Sequence, residues 1–341
     1  MQSRKIVCHK LSTNFRECTA IVAFTIPELK QGEVLMQTKY CGVNASDINY
    51  TNGIYLPGVL PPFDCGFDAL GIVLEVGPGV SRLKKGDAVV FTSYGAFSEH
   101  IVAKERSLVK VPVAIPEVLP ITLCGLTASI ALEHVGEMKH GETVLVTAAA
   151  GATGQFAVQL AKLAGNHVIG TCSSPEKVEY LHSIGCDRPI NYRSENVFHV
   201  LKNEYPRGVD LVFESVGGEM FQTCVDNIAR KGRIIVIGAI AGYQDSSSWK
   251  QKLTKPEMPL PSKLLARSAS VRGFLYNDYL REIHTHTKKL TTLVQRGVLK
   301  AGVDPSNFCG LEDIPNAIDH MYECKNIGKI IVDISKGTSR L

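Results

Sequence analysis

The stretch ETVLVTAAAGATGQFAVQLAKLAGNHVIGTCSS, residues 142–174, reads as a strand, a glycine-rich turn, a helix and a second strand. Thr143–Thr147 supply a buried strand run, and Ala149-x-Gly151-x-x-Gly154 stands where a dinucleotide-binding turn carries Gly-x-Gly-x-x-Gly. In such a turn the central glycine lets the backbone approach a pyrophosphate and the last lets the helix pack closely on the strand. The helix N-terminus then presents unsatisfied N–H groups and a positive dipole end to the phosphates. Ala149 replaces the first glycine here, and two glycines in a small-residue turn also suit any tight strand-to-helix connection. The surroundings decide between these readings. Phe156, Leu160, Leu163 and Ala164 recur on one helical face, Gln155, Gln159 and Lys162 fall on another, and His167–Cys172 reads as a parallel partner strand. The stretch is read as a dinucleotide-binding unit.

Working outward, helix and strand keep alternating beyond it: helix over Pro175–Ile184, strand near Pro189–Tyr192, helix over Val197–Tyr205, strand over Val209–Val216, helix over Met220–Ala229, strand over Arg233–Gly238. That alternation predicts a doubly wound parallel sheet. Residues 243–270 turn polar with Ser, Lys and Pro, which predicts a functional loop or lid with some helix, and 278–300 return as a helix. Upstream, from Arg4 to about Thr122, short strands (Val34–Tyr40, Gly71–Val76, Ala88–Thr92, Phe97–Val102) alternate with Gly, Pro, Asn and Asp, as in a compact mainly β domain. Leu123–His134 reads as the helix leading into the nucleotide unit, and strand-like Lys329–Ile334 either rejoins the first domain or finishes the sheet.

The bulk numbers exclude several classes. With 341 residues, 45% of them hydrophobic and 21% charged, the chain can bury about two cores. A net charge of +4 without a dense Lys/Arg block gives nucleic acid or a membrane surface little to hold. No apolar run is expected to reach the roughly 20 residues of a spanning helix, and no secretory segment is expected at the start. Ten cysteines without a C-x-x-C suit reduced intracellular thiols better than disulfides or metal.

Gly42-Val-Asn44-Ala-Ser-Asp47, Gly53-Ile-Tyr55, Gly66-Phe-Asp68-x-x-Gly71, Val76-Gly-x-Gly79-Val, Gly86-Asp87-x-Val89, Gly95-Ala-Phe97-x-Glu99 and the Ala148–Gly154 turn together resemble the medium-chain dehydrogenase/reductases, over nearly the whole chain. Within them the zinc-free quinone and enone reductases are the more similar branch. The resemblance implies an α/β fold: a Rossmann doubly wound parallel sheet over 123–301, plus a GroES-like mainly β domain from 1–122 and 302–341, with the active site in the cleft between them. It implies reduction of the carbon-carbon double bond of α,β-unsaturated ketones, 15-oxo prostaglandins included. A quinone reductase, or a non-catalytic crystallin-like or vesicle-associated protein on the same fold, are the rival expectations. Dimers are common in the family, so a homodimer is compatible with the resemblance, and the sequence leaves the oligomeric state open.

Zinc members of the family hold their catalytic ion with Cys, His and acidic or Cys ligands in tetrahedral array. The matching positions here carry Asn44, Phe67 and Asp68, and the four-cysteine structural lobe has no counterpart between Phe97 and Cys124. No stoichiometric zinc is therefore expected in the purified protein. His100, His284 and His286 are read as solvated side chains rather than ligands.

Cofactor choice is set at the end of the second strand, where NAD enzymes place an acid. This chain has the neutral Cys172-Ser173-Ser174 there, and Ser174-Pro175 also reads as a helix cap and first helical position. In similar enone reductases the residues matching Ser173, Lys177 and Tyr192 bind a 2′-phosphate, which implies NADPH, although Lys177 alone suits a solvated surface position. Gly151, Thr153, Gly154, Ser215, Ile237, Tyr243 and Asn326 carry over as further cofactor contacts. Tyr243 and Tyr55 are expected near the reacting end, with Asn44 against the nicotinamide or substrate carbonyl, although a tyrosine in a Gly/Pro loop such as Tyr55 also suits covering an adjacent core. Hydride reaches the β-carbon, donors stabilise the enolate, and the α-carbon takes a proton from solvent or a tyrosine.

The sequence closes on Ser339-Arg340-Leu341 after a polar Ser335–Thr338. It resembles the Ser-Lys-Leu address that a peroxisomal import receptor reads at a free carboxyl terminus. The peroxisomal matrix is the expected location, the cytoplasm the alternative.

Overall fold

The computed structural model describes residues 1–54, 58–244 and 258–335. The chain divides into two compact units, Met1–Leu123 with the chain from Gly302 onward, and Cys124–Ala301.

In the second unit six parallel strands lie in the order Arg188–Asn191, His167–Cys172, Thr143–Val146, Val209–Glu214, Ile228–Val236, Ser270–Gly273. Their sequences are near-continuous apolar runs because crossover helices cover both faces of a parallel sheet: Val144, Val146, Val168, Ile169, Leu211, Phe213 and Ile235 are all fully buried. The helices start where their caps allow. Ser174 has an extended backbone and accepts from the Lys177 N–H at 3.4 Å, with Pro175 in the first turn. Asn196 accepts from the His199 N–H at 3.0 Å. One boundary differs from the sequence reading: the helix expected to reach Ala229 ends at Asp226. Ile228 pairs with Val209 across a register shift, so Ile228 and Ala229 already belong to the next strand. The helix expected over 278–300 spans Ile283–Gln295. Of the 243–270 segment, Leu260–Arg267 is helical, while 245–257 lies outside the described residues.

In the first unit the long Glu33–Gly42 strand organises a mixed sheet, pairing antiparallel with Asp68–Val76, with His100–Lys104 and with Ile331–Asp333. The C-terminal strand thus rejoins the N-terminal chain. Strand expected from Phe97 begins at His100.

One exclusion drawn from the sequence needs correction. The helical run Pro116–Val135 is 20 residues long and apolar enough to cross a membrane, and 72% of its window is buried inside the protein. A core helix passes the same test of length and composition. None of the ten cysteines forms a disulfide among the described residues, and eight are buried.

Candidate active site

The glycine turn lies at the C-terminal edge of the central strand. The strand order reverses between Thr143–Val146 and Val209–Glu214, the crevice where open α/β sheets take their ligands. Ala148 has φ +46°, which folds the chain back sharply. A Cβ on Gly154 would stand 2.7 Å from Ala149 Cα, so only glycine lets the helix start against the turn. A Cβ on Gly151 would meet only Ala148 O, at 3.2 Å. Helical bonding begins with Gln155 N–H on Gly151 C=O at 3.1 Å, which leaves the N–H groups of Ala152, Thr153 and Gly154 without a helical acceptor. This is the cradle a pyrophosphate requires. Ser215 follows on the neighbouring strand, its N–H on Thr147 Oγ1 at 2.9 Å and its hydroxyl on Thr147 O at 3.3 Å.

Ser173, Lys177 and Tyr192 gather at the next edge outward. Tyr192 N–H donates to Cys172 O at 3.0 Å, continuing the parallel pairing one step past the strand ends, so Tyr192 stands beside the Cys172-Ser173 peptide. Lys177 follows in the first turn of the helix that Ser174 caps. It is no solvated lysine: it and Ser173 are buried, at 8% and 3% exposure, while Tyr192 is 40% exposed. No acid occupies the strand end. The donor chemistry fits a dinucleotide carrying a 2′-phosphate.

Ile237 N–H donates to Glu214 O at 2.9 Å, and the chain then turns through Gly238 and Ala239. Tyr243 is buried, and its hydroxyl accepts from the Ala239 N–H at 2.9 Å. Glu214, unmarked in the sequence reading, is fully buried at the same edge. Its Oε1 accepts from the N–H groups of Val216 (2.8 Å) and Gly217 (2.9 Å), and Oε2 has no hydrogen-bond partner among the described residues. Burial pushes its carboxyl above the usual range.

In the first unit the positions matching zinc ligands hold an organic network. Asn44 Nδ2 donates to Asp68 Oδ1 at 2.6 Å and to Gly42 O at 3.3 Å, while Asn44 Oδ1 accepts from Lys329 Nζ at 2.5 Å. Lys329 Nζ also donates to Asp68 Oδ1 at 3.4 Å and stands 3.2 Å from Oδ2 as an ion pair, and both side chains are wholly buried. Gly42 makes room, since a Cβ there would lie 2.6 Å from Lys329 Cε. Asp47 takes the Asn44 N–H at 2.8 Å, and burial first, then the Asp68 charge, drives its carboxyl upward. Asn44, expected against the reacting group, therefore spends its amide inside this network, because a buried lysine and carboxylate need its two ends. Asn326 lies in the same unit, its amide on Gly328 O at 3.1 Å. Tyr55 lies outside the described residues.

The histidine reading also changes. His284 is exposed, but His100 is half-buried with Nδ1 at 3.0 Å from Ser3 Oγ, and His286 is fully buried.

Residues 30–113 match the alcohol dehydrogenase GroES-like domain, and residues 152–295 the zinc-binding dehydrogenase domain. Mouse prostaglandin reductase-3 is 47% identical over 339 residues, 97% of this chain and 89% of that protein. The chain belongs to the medium-chain dehydrogenase/reductases. The "Probable quinone oxidoreductase" of Leishmania amazonensis is 42% identical over 334 residues, 97% of this chain and 98% of that one. A mycobacterial protein solved in complex with NADPH superposes with a TM-score of 0.82 at 26% identity, covering 98% of this chain and 100% of that one. This medium-chain dehydrogenase/reductase is thus an oxidoreductase of the zinc-independent quinone and enone reductase branch.

Proposed function

We propose that this oxidoreductase reduces the carbon-carbon double bond of α,β-unsaturated ketones with NADPH, and that lipid enones of the 15-oxo-prostaglandin kind are its substrates. The observation that carries the cofactor choice is the burial of Lys177 beside Ser173 at a strand end with no acid. The prostaglandin reductase among the relatives, at 47% identity, supports the enone. The 42% identical quinone oxidoreductase keeps quinone reduction as the second reading.

Bound NADPH supplies the hydride. The residues of the chain hold and orient it: the N-terminal N–H groups at Ala152–Gly154 take the pyrophosphate, and Ser173, Lys177 and Tyr192 take the 2′-phosphate. Thr153, Ser215, Ile237 and Asn326 are further contacts along the cofactor. Tyr243, its hydroxyl anchored on Ala239, orients the nicotinamide ribose. Tyr55 serves the reacting end. Asn44 acts at one remove, as a positioning residue that closes the Asp68 and Lys329 pair. Proximity and orientation then provide most of the acceleration.

The test is a labelled turnover. C4-deuterated NADPH with a 15-oxo prostaglandin should place deuterium on the β-carbon and leave a saturated ketone. Deuterium on the carbonyl carbon, giving an alcohol, would refute the enone reading. Turnover confined to ortho-quinones would select the second reading.

A further inference from the structure

We propose that Glu133, His134 and His286 form a binding site for one divalent transition-metal ion, zinc being the best match to the donor set. The ligand atoms of the three residues lie within 4.8 Å of one another. Two separate helical elements bring them together: Glu133 and His134 sit in the π-helical turn Ala131–Val135, and His286 in the helix Ile283–Gln295.

His286 is the organising ligand. Its side chain is 1% exposed, and Ser129 Oγ stands 2.7 Å from its Nδ1. A hydroxyl on one ring nitrogen fixes the ring and directs the other nitrogen, the usual outer support of a metal-bound histidine. That other nitrogen, Nε2, faces His134 Nε2 at 3.2 Å. Two imidazole nitrogens on one tetrahedral zinc, each at 2.0–2.1 Å from it, stand about 3.3 Å apart. The rings meet at 58° with centroids 5.3 Å apart, so they converge rather than stack. A π turn is often found at functional sites, because the extra residue re-aims a side chain.

Two nitrogens and a carboxylate suit a borderline ion such as zinc rather than calcium or magnesium. Glu282 Oε2, 3.7 Å from His134 Nε2, adds negative charge at the rim. One neighbour opposes the ion: Lys289 Nζ lies 2.7 Å from Glu133 Oε2 and must yield that carboxylate. Loading is therefore conditional on supplied metal, and the purified protein is still expected to be metal-free. The site also lies in a different unit from Asn44, Phe67 and Asp68. An ion here would join the helix entering the nucleotide unit to a helix over 150 residues later, with no part in hydride transfer.

Zinc chloride should be titrated calorimetrically into chelator-treated full-length protein, and cobalt followed by its visible spectrum. The proposal expects one ion per chain, a melting temperature that rises with zinc, and a tetrahedral cobalt spectrum without thiolate charge transfer. His134→Ala, a change at an exposed position, should abolish uptake. Ser129→Ala should weaken it about tenfold or more, and Lys289→Gln should tighten it by removing the competing ammonium. Lack of uptake by the wild type, uptake unchanged in His134→Ala, or weaker uptake in Lys289→Gln would each overturn the site.

Discussion

At the scale of single residues, two side chains carry separable tests. Lys177 is buried where a 2′-phosphate is proposed to sit, and a charge-assisted contact of this kind is worth roughly 1.5–3 kcal/mol. Lys177→Ala should raise the KM for NADPH about tenfold to hundredfold and leave that for NADH nearly unchanged. Equal weakening of both would remove Lys177 from the phosphate site. Glu214 makes a prediction about stability. Its folded-state pKa is raised by burial, so over a window above the ordinary carboxylate range the folded protein keeps a proton that the unfolded chain has released. Stability then falls as pH rises through that window. Glu214→Gln preserves an oxygen for Val216 and Gly217 and removes the titration. Relative to wild type, its urea midpoint should therefore climb between about pH 4 and pH 7. A constant difference across that range would show that Glu214 titrates normally.

At the scale of elements, the strand, turn and helix of 142–174 were legible because each level agreed: apolar runs, small residues at the turn, and amphipathic spacing after it. Gly154 is the sharpest point of that agreement. A methyl group there meets the Ala149 backbone, which cannot move aside like a flexible side chain. Gly154→Ala should destabilise the protein by about 1–3 kcal/mol, the usual cost of overpacking, and weaken NADPH binding with it. Calorimetry that finds normal stability and normal affinity would show that the turn has slack the geometry does not display. The helix Ile283–Gln295 is harder to read: its sequence suggests a solvated His286, which the fold buries. The signal existed: His286 and Leu290 are spaced i, i+4 and are the two residues buried on that helix. Comparing His286 with Leu290, rather than with His284, identifies its inward face.

At the scale of the whole molecule, the parallel sheet could be read locally, whereas the Asn44, Asp68 and Lys329 network could not. Lys329 is 285 residues from Asn44 and 261 from Asp68, and no periodicity reports on pairs so distant. The sequence did show that the zinc ligands were replaced; it could not show that a lysine from the far end of the chain supplies the positive charge. The proposed destination also belongs to this scale. Ser339-Arg340-Leu341 lies outside the described residues, and its reading rests on an address recognised only at a free carboxyl terminus. Appending a few residues after Leu341 should leave turnover intact and shift the protein from peroxisomes to cytosol. Import that survives the extension, or a wild type that is cytosolic throughout, would count against a peroxisomal address.

The antiparallel pairing of Ile331–Asp333 with Tyr40–Gly42 has a consequence for how the chain is made. Synthesis is vectorial, and domains generally fold as they emerge. The unit spanning Cys124–Ala301 is contiguous and has all its strands before the last stretch is translated. The unit that begins first is completed last. Until Lys329 arrives, Asp68 stands at the start of its strand with its cation still unsynthesised, and closing that core over it would bury an uncompensated charge. The unit begun first would therefore close over Asp68 only once the chain through Lys329 has been made.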